Sequence, residues 1–177
     1  MPHSASGIYS EYYAIKYPDE VSSIIMLDTT SSAIKEANVP KFVYKLSKVQ
    51  QATGFSRIIN SFVVPNLLKE SNGYTRQEIK EYSRFINHLF NDTIIDQNVR
   101  FNDNIIEVMG MDFPDAVSVL KIVPTGTIKQ VKEEYQMDHI NRLGVNAKYI
   151  IIDGSHFIYH TNITDIYDAT IDFLYKR

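Results

Sequence analysis

The chain opens on a run of mostly small residues that permits a sharp turn. Pro2-His3-Ser4-Ala5-Ser6-Gly7 sets small residues around Ser4, and small neighbours let a backbone fold tightly while pushing one hydroxyl outward. Bulky residues there would close it. Ser10 to Tyr17 then reads as an amphipathic helix, Pro18-Asp19-Glu20-Val21 stops it, and Ser23 to Leu27 is a short apolar strand ending at Asp28. Turn, helix, stop and buried strand follow one another with no slack between them.

Beyond Asp28 the pattern becomes helical from roughly 31 to 112, without a second strong strand signal. Val43 to Gln51 and Thr75 to Phe90 carry apolar residues at helical spacing, with Ile79, Tyr82, Phe85, Ile86 and Leu89 on one face. Thr75 followed by Glu78 reads as a capping box. Phe55, Ile58, Ile59, Phe62, Val63 and Val64 suit either a substrate-facing lid or ordinary packing between helices. Strand character resumes at Ala116 to Val123, passes through Pro124-Thr125-Gly126-Thr127 into a helix from Ile128 to Leu143, and returns at Tyr149 to Ile152. A last helix places Asp165, Asp168 and Asp172 outward and Ile166, Ala169 and Phe173 inward. Strands alternating with helices of this length imply a parallel sheet with helices on both faces. The expected organisation is a first segment over 1–30, a helical insertion over 31–113 and a closing strand-and-helix segment over 114–177.

Composition narrows the functions available. An apolar content of 44% over 177 residues supports a real core. Eighteen Lys plus Arg against 21 Asp plus Glu give a net charge of -3. With no basic run or RNA-binding aromatic motif, this argues against a nucleic-acid partner. The absence of cysteine excludes disulfides, thiolate metal sites and a cysteine nucleophile. No stretch reaches the roughly 18 apolar residues of a membrane span; the longest, Ile58 to Leu68, is broken by Asn60, Ser61, Pro65 and Asn66. Metal and nucleotide motifs are missing, so no cofactor is expected.

The order of turn, helix, Tyr-Pro-Asp-Glu-Val, buried strand and Asp resembles the segment that follows the nucleophile in α/β-hydrolases. The strict pattern there is G-x-S-x-G; here Pro2 and Ser6 hold the glycine positions and Gly7 follows one step later. This is similar to a bacterial subgroup in which Pro-His-Ser-x-Ser-Gly takes that place. The resemblance implies the C-terminal part of an α/β-hydrolase sheet, three parallel strands with flanking helices, plus a helical cap insertion. It also implies that the strand preceding the nucleophile lies outside this sequence, leaving an apolar sheet edge open to self-association.

By the same resemblance, Ser4 is the nucleophile, with a helix N-cap as its plainer alternative. His156, in Gly154-Ser155-His156-Phe157 just past the last strand, is the general base rather than an ordinary structural histidine. His160 reads as structural, while His88 and His139 lack a supporting motif. Most of the family carries its acid after the strand that follows the cap, but Pro124-Thr125-Gly126-Thr127 offers no carboxylate. Asp28 holds the position used by a minority of the family, although Asp28-Thr29-Thr30-Ser31 also suits a turn. Glu133, Glu134 and Asp138 lie too far into a helix, and Asp153 reads as a turn residue. Ala5 supplies one oxyanion-hole N–H; the second is expected from sequence outside this chain, and losing one such donor typically costs about 10² to 10³ in rate.

The resulting expectation is a hydrolase of small carboxylic-ester or related acyl substrates, impaired if acting alone. Two alternatives stand beside it. One is a non-catalytic remnant or interaction module; the other is a proline-iminopeptidase-like peptidase, which would need an acidic cluster for the substrate amine that the sequence does not identify.

Overall fold

Alternation along three short strands builds the centre of the protein. A computed structural model describes residues 1–33, 40–68, 73–87, 91–131 and 133–175, without the side chains of 41 and 65–67. Strands β1 (Ser23–Leu27), β2 (Ser118–Pro124) and β3 (Ala147–Ile152) form a parallel sheet in the order β1-β2-β3. Leu27 lies opposite Ile122, and Pro124 opposite Ile152. Side chains two apart share a face. Ile24, Met26 and Val119 therefore pack with Ala14, Ile140 and Leu143 on one side, while Ile25, Leu27, Leu120 and Ile122 pack with Ile158, Ile166 and Phe173 on the other. Near-continuous apolar character in β1 and β2 follows from burial on both faces.

Helices cover both faces. Helix α1 (Ser6–Lys16) supplies Ala14 to the first face, and a 3-10 turn at Pro18–Glu20 leads from it to β1. The chain divides into two compact units, Met1–Lys35 with Asp103–Arg177, and Glu36–Asn102. In the second lie α2 (Lys41–Ala52), α3 (Phe55–Leu67), α4 (Arg76–Ile86) and α5 (Asp92–Val99). Thr75 and Glu78 make the expected reciprocal capping box at α4. Phe55, Ile58, Phe62 and Phe85 remain exposed, whereas Val64 is buried. His88 and Leu89 lie outside the described residues. Helix α6 (Phe101–Met109) buries Ile105 and Val108.

After β2 come α7 (Thr125–Ile128) and α8 (Glu133–Arg142); β3 is followed by α9 (Ile158–Thr161) and α10 (Ile163–Tyr175). The single helix expected from Ile128 to Leu143 is thus two. The N–H groups of Gln130 and Val131 both turn back to the Thr127 carbonyl, which closes α7 before α8 begins. On α10, Ile166 and Phe173 are buried, in the phase the sequence predicts. Among the described residues no helix is long and apolar enough to cross a membrane.

Candidate active site

The turn at the start of the chain is pinned to the end of β1. Leu27 N–H donates to the Pro2 carbonyl at 2.9 Å and Ser4 N–H to the Leu27 carbonyl at 3.3 Å, so that His3 bridges Leu27 in parallel. Ser4 then turns with φ 54°, a left-handed conformation that a non-glycine residue holds only where its surroundings enforce it. Those surroundings are specific. Ser6 Oγ donates to the His3 carbonyl at 2.6 Å and accepts from His3 N–H at 2.8 Å, while Thr30 N–H donates to the Ser4 carbonyl at 3.1 Å.

The departure from the glycine pattern therefore has a local purpose: Ser6 ties the turn with its own hydroxyl. Gly7 is the residue that must stay small, because a Cβ there would lie 2.5 Å from Thr29 Cβ. Ser4 is not the helix cap. Ala5 holds that position without a side-chain bond, so its N–H belongs to the open N-terminal end of α1, where the helix dipole favours negative charge.

Asp28 leaves β1 in a second left-handed turn, at φ 43°, with its N–H bonded to the Ile122 carbonyl at 2.8 Å. Its side chain is almost wholly buried, and Oδ2 accepts from His156 Nδ1 at 2.6 Å. On the other side of the ring, His156 Nε2 lies 3.1 Å from Ser4 Oγ. These partners fix the tautomer: Nδ1 carries the proton given to the carboxylate, and Nε2 is the acceptor for the hydroxyl. Ser4, His156 and Asp28, spread over most of the sequence, thus form one hydrogen-bonded chain with the imidazole 43% exposed. Ala5 follows Ser4 directly.

Neighbouring groups complete the arrangement. His3 Nε2 donates to the His156 carbonyl at 2.8 Å, and its ring stacks at a tilt 4.5 Å from that of His156. Burial lowers the His3 pKa, with the His156 carbonyl bond opposing; a neutral ring carrying Nε2–H fits that bond. Thr127 Oγ1 also donates to Asp28 Oδ2, at 2.6 Å. Asp153 accepts from Thr125 Oγ1 at 2.7 Å, away from the ring of His156. His160 is buried, as a structural histidine would be.

A second polar chain lies inside the same unit. Lys121 Nζ is 2.6 Å from His139 Nδ1, His139 Nε2 is 2.8 Å from Glu11 Oε1, and Ser32 Oγ donates to Glu11 Oε2 at 2.6 Å. Arg142 Nε donates to the same Ser32 hydroxyl at 2.9 Å. Lys121, His139, Glu11 and Ser32 are all fully buried. Burial pulls the Lys121 ammonium down to about 8 against the opposing pull of Glu11 and Asp28, and burial likewise lowers His139. Sequence reading passes over this chain: Lys121 hides in an apolar strand, and nothing local links Glu11 to His139. Among the described residues no cluster of three or more His, Cys, Asp or Glu is placed to hold a metal ion.

No sequence-family profile matches the chain. A Bacillus subtilis protein described as the uncharacterized protein YbdG is 26% identical over 194 residues, covering 99% of this chain and 57% of that protein. A solved hydrolase from Oleispira antarctica superposes with a TM-score of 0.60 at 13% identity, covering 99% of this chain and 64% of its own. An α/β-hydrolase fold protein from Nakamurella multipartita gives a TM-score of 0.47 at 13% identity, over 97% of this chain and 67% of that one. The chain spans less than two thirds of the length of the first two. Its three-stranded parallel sheet flanked by helices is an α/β arrangement shared with the Oleispira antarctica hydrolase.

Proposed function

We propose that the protein is a serine hydrolase acting on a carboxylic ester or related acyl substrate. The observation that carries this reading is the hydrogen-bonded chain Ser4 Oγ, His156 Nε2, His156 Nδ1, Asp28 Oδ2, at 3.1 and 2.6 Å. Acyl transfer needs a hydroxyl, an imidazole to take its proton and a carboxylate to fix the tautomer. Ser4 Oγ attacks the acyl carbonyl carbon as its proton passes to His156 Nε2. Ala5 N–H donates to the oxyanion that forms. The tetrahedral intermediate collapses, His156 returns the proton to the departing alkoxide, and an acyl-serine remains. Water then repeats the sequence: His156 takes its proton, hydroxide adds to the acyl carbon, and Ser4 leaves reprotonated.

The helical insertion expected over 31–113 is proposed as the cap that sets acyl-chain preference, and Phe62, an exposed apolar residue on it, is the position to test. Hydrolysis of p-nitrophenyl esters of graded chain length tests both parts. Turnover that disappears in Ser4→Ala, and a chain-length optimum that shifts in Phe62→Ser, are the expected results. A well-folded protein without turnover on any of these esters would favour the non-catalytic reading.

A further inference from the structure

We infer that Thr125-Gly126-Thr127 is a positioning clamp that holds the acid and the histidine loop in register, resting on the reading of Asp28 and His156 given above. The segment opens α7 directly after β2, and its two threonines point their hydroxyls at different partners. Thr127 Oγ1 donates to Asp28 Oδ2 at 2.6 Å, the oxygen that also takes His156 Nδ1–H. Thr125 Oγ1 grips the loop before His156, donating to Asp153 Oδ1 at 2.7 Å and accepting from Gly154 N–H at 3.3 Å. Between them Gly126 N–H donates to the Gly154 carbonyl at 2.9 Å. A Cβ on Gly126 would stand 2.8 Å from that same oxygen, so the backbones can meet this closely only through glycine.

The physical need for such a clamp is plain. Asp28 sits on a left-handed turn after β1 and His156 on a loop after β3, and β2 lies between those strands. No direct backbone bond sets the distance from Asp28 to His156. The short helix α7 starts from the strand in the middle and reaches both sides. A carboxylate fixed by a second charge-assisted bond keeps one oxygen aimed at the imidazole, and a group that orients a base through its hydrogen bonds influences the rate without touching the substrate.

The test compares Thr127→Val with Thr127→Ser. On p-nitrophenyl acetate, Thr127→Val should lose about tenfold or more in kcat with KM little changed, because the lost interaction aligns the base and does not bind the ester. Thr127→Ser, which keeps the hydroxyl, should recover most of it. Independently of turnover, two-bond proton–nitrogen spectra of the His156 ring should show the Nδ1–H tautomer in the unaltered protein and in Thr127→Ser, and a rise of the Nε2–H tautomer in Thr127→Val. If Thr127→Val fails to fold, Thr125→Val reads the clamp from the histidine side by the same two measurements. An unchanged kcat and an unchanged tautomer in the valine variants, or a serine variant as impaired as valine, would overturn the clamp. A protein inactive on esters whose tautomer still responds to Thr127→Val would overturn the esterase reading and leave the clamp standing.

Discussion

His156 and His139 each sit between a carboxylate and a second polar group, at similar distances, yet in opposite surroundings. His156 gives Nδ1–H to Asp28 and offers Nε2 to the Ser4 hydroxyl, with 43% of its side chain exposed. His139 gives Nε2–H to Glu11 and offers Nδ1 to the Lys121 ammonium, with nothing exposed. The same atoms serve two purposes. In the first, on the proposed reading, access lets a substrate reach the hydroxyl; in the second, burial makes the neutral imidazole a bridge between opposite charges and ties α1, β2 and α8 together. A histidine between an acid and a proton donor is therefore not sufficient evidence of chemistry; exposure and the strained turn under Ser4 separate the two.

The largest expected effect separates them through rate. Ser4→Ala or His156→Ala should remove ester turnover by about 10⁴-fold or more while the melting temperature stays near that of the unaltered protein. Turnover measured beside thermal unfolding checks both halves. Comparable activity in either variant would contradict a catalytic role for that side chain.

The buried chain should respond through stability. Lys121→Met leaves the Glu11 carboxylate buried without its compensating charge, a change that typically costs about 3 to 5 kcal/mol. Replacing its three fully buried ionisable members together, as Glu11→Leu with Lys121→Met and His139→Leu, removes those buried charges and should recover most of that loss. Urea unfolding of the single and triple variants gives the answer. A triple variant no better than the single one would show that these groups do more than balance one another.

A smaller, graded effect is expected with pH. The Lys121 pKa falls from 10.5 to about 8 on folding, so the unfolded chain binds the extra proton between those values. Stability from this group is full above 10.5 and lost as pH falls through about 8, a difference of about 3 kcal/mol. It should appear when the unaltered protein is compared with the triple variant, facing as it does Glu11, His139 and Asp28. His139, lowered below 6.5 by burial, adds stability that is present above 6.5 and lost as pH falls further. The acid branch should flatten in the triple variant. Denaturant midpoints measured from pH 5 to 10 check both slopes.

Smaller again is Gly7→Ala, in which the new methyl meets Thr29 and must displace α1 or the loop after β1. An overpacked contact of this kind typically costs about 1 to 3 kcal/mol. Turnover should fall further than stability, because the strained turn carries Ser4. Kinetics beside urea midpoints would read that imbalance.

What the sequence disclosed follows the same division. Local signals were readable: β1 has the bounds that its apolar run predicts, the Thr75–Glu78 box caps α4, and Ile166 and Phe173 point inward on α10. Ser4, Asp28 and His156 could be singled out as candidates through the family resemblance, and the hydrogen-bonded chain they form is the geometry on which the proposal rests. Boundaries set by tertiary contacts were not. Helix α1 starts at Ser6, four residues earlier than its amphipathic pattern, since the turn at Ser4 initiates it and poor helix formers follow. Strand β2 starts at Ser118, not Ala116, where pairing with Ser23 begins. Glu11, Lys121 and His139 escaped notice because their partners are long-range, and a charged residue inside an apolar strand gives no hint of who neutralises it. Thr127 was equally silent: a loop without a carboxylate does not disclose that it supports one from elsewhere.

The most direct test is the mapping of a fluorophosphonate adduct on the purified protein by peptide mass spectrometry. One phosphonylated site is expected, on Ser4, that vanishes in Ser4→Ala and forms much more slowly in His156→Ala. A folded protein that takes no label, or a label that persists in Ser4→Ala, would contradict it.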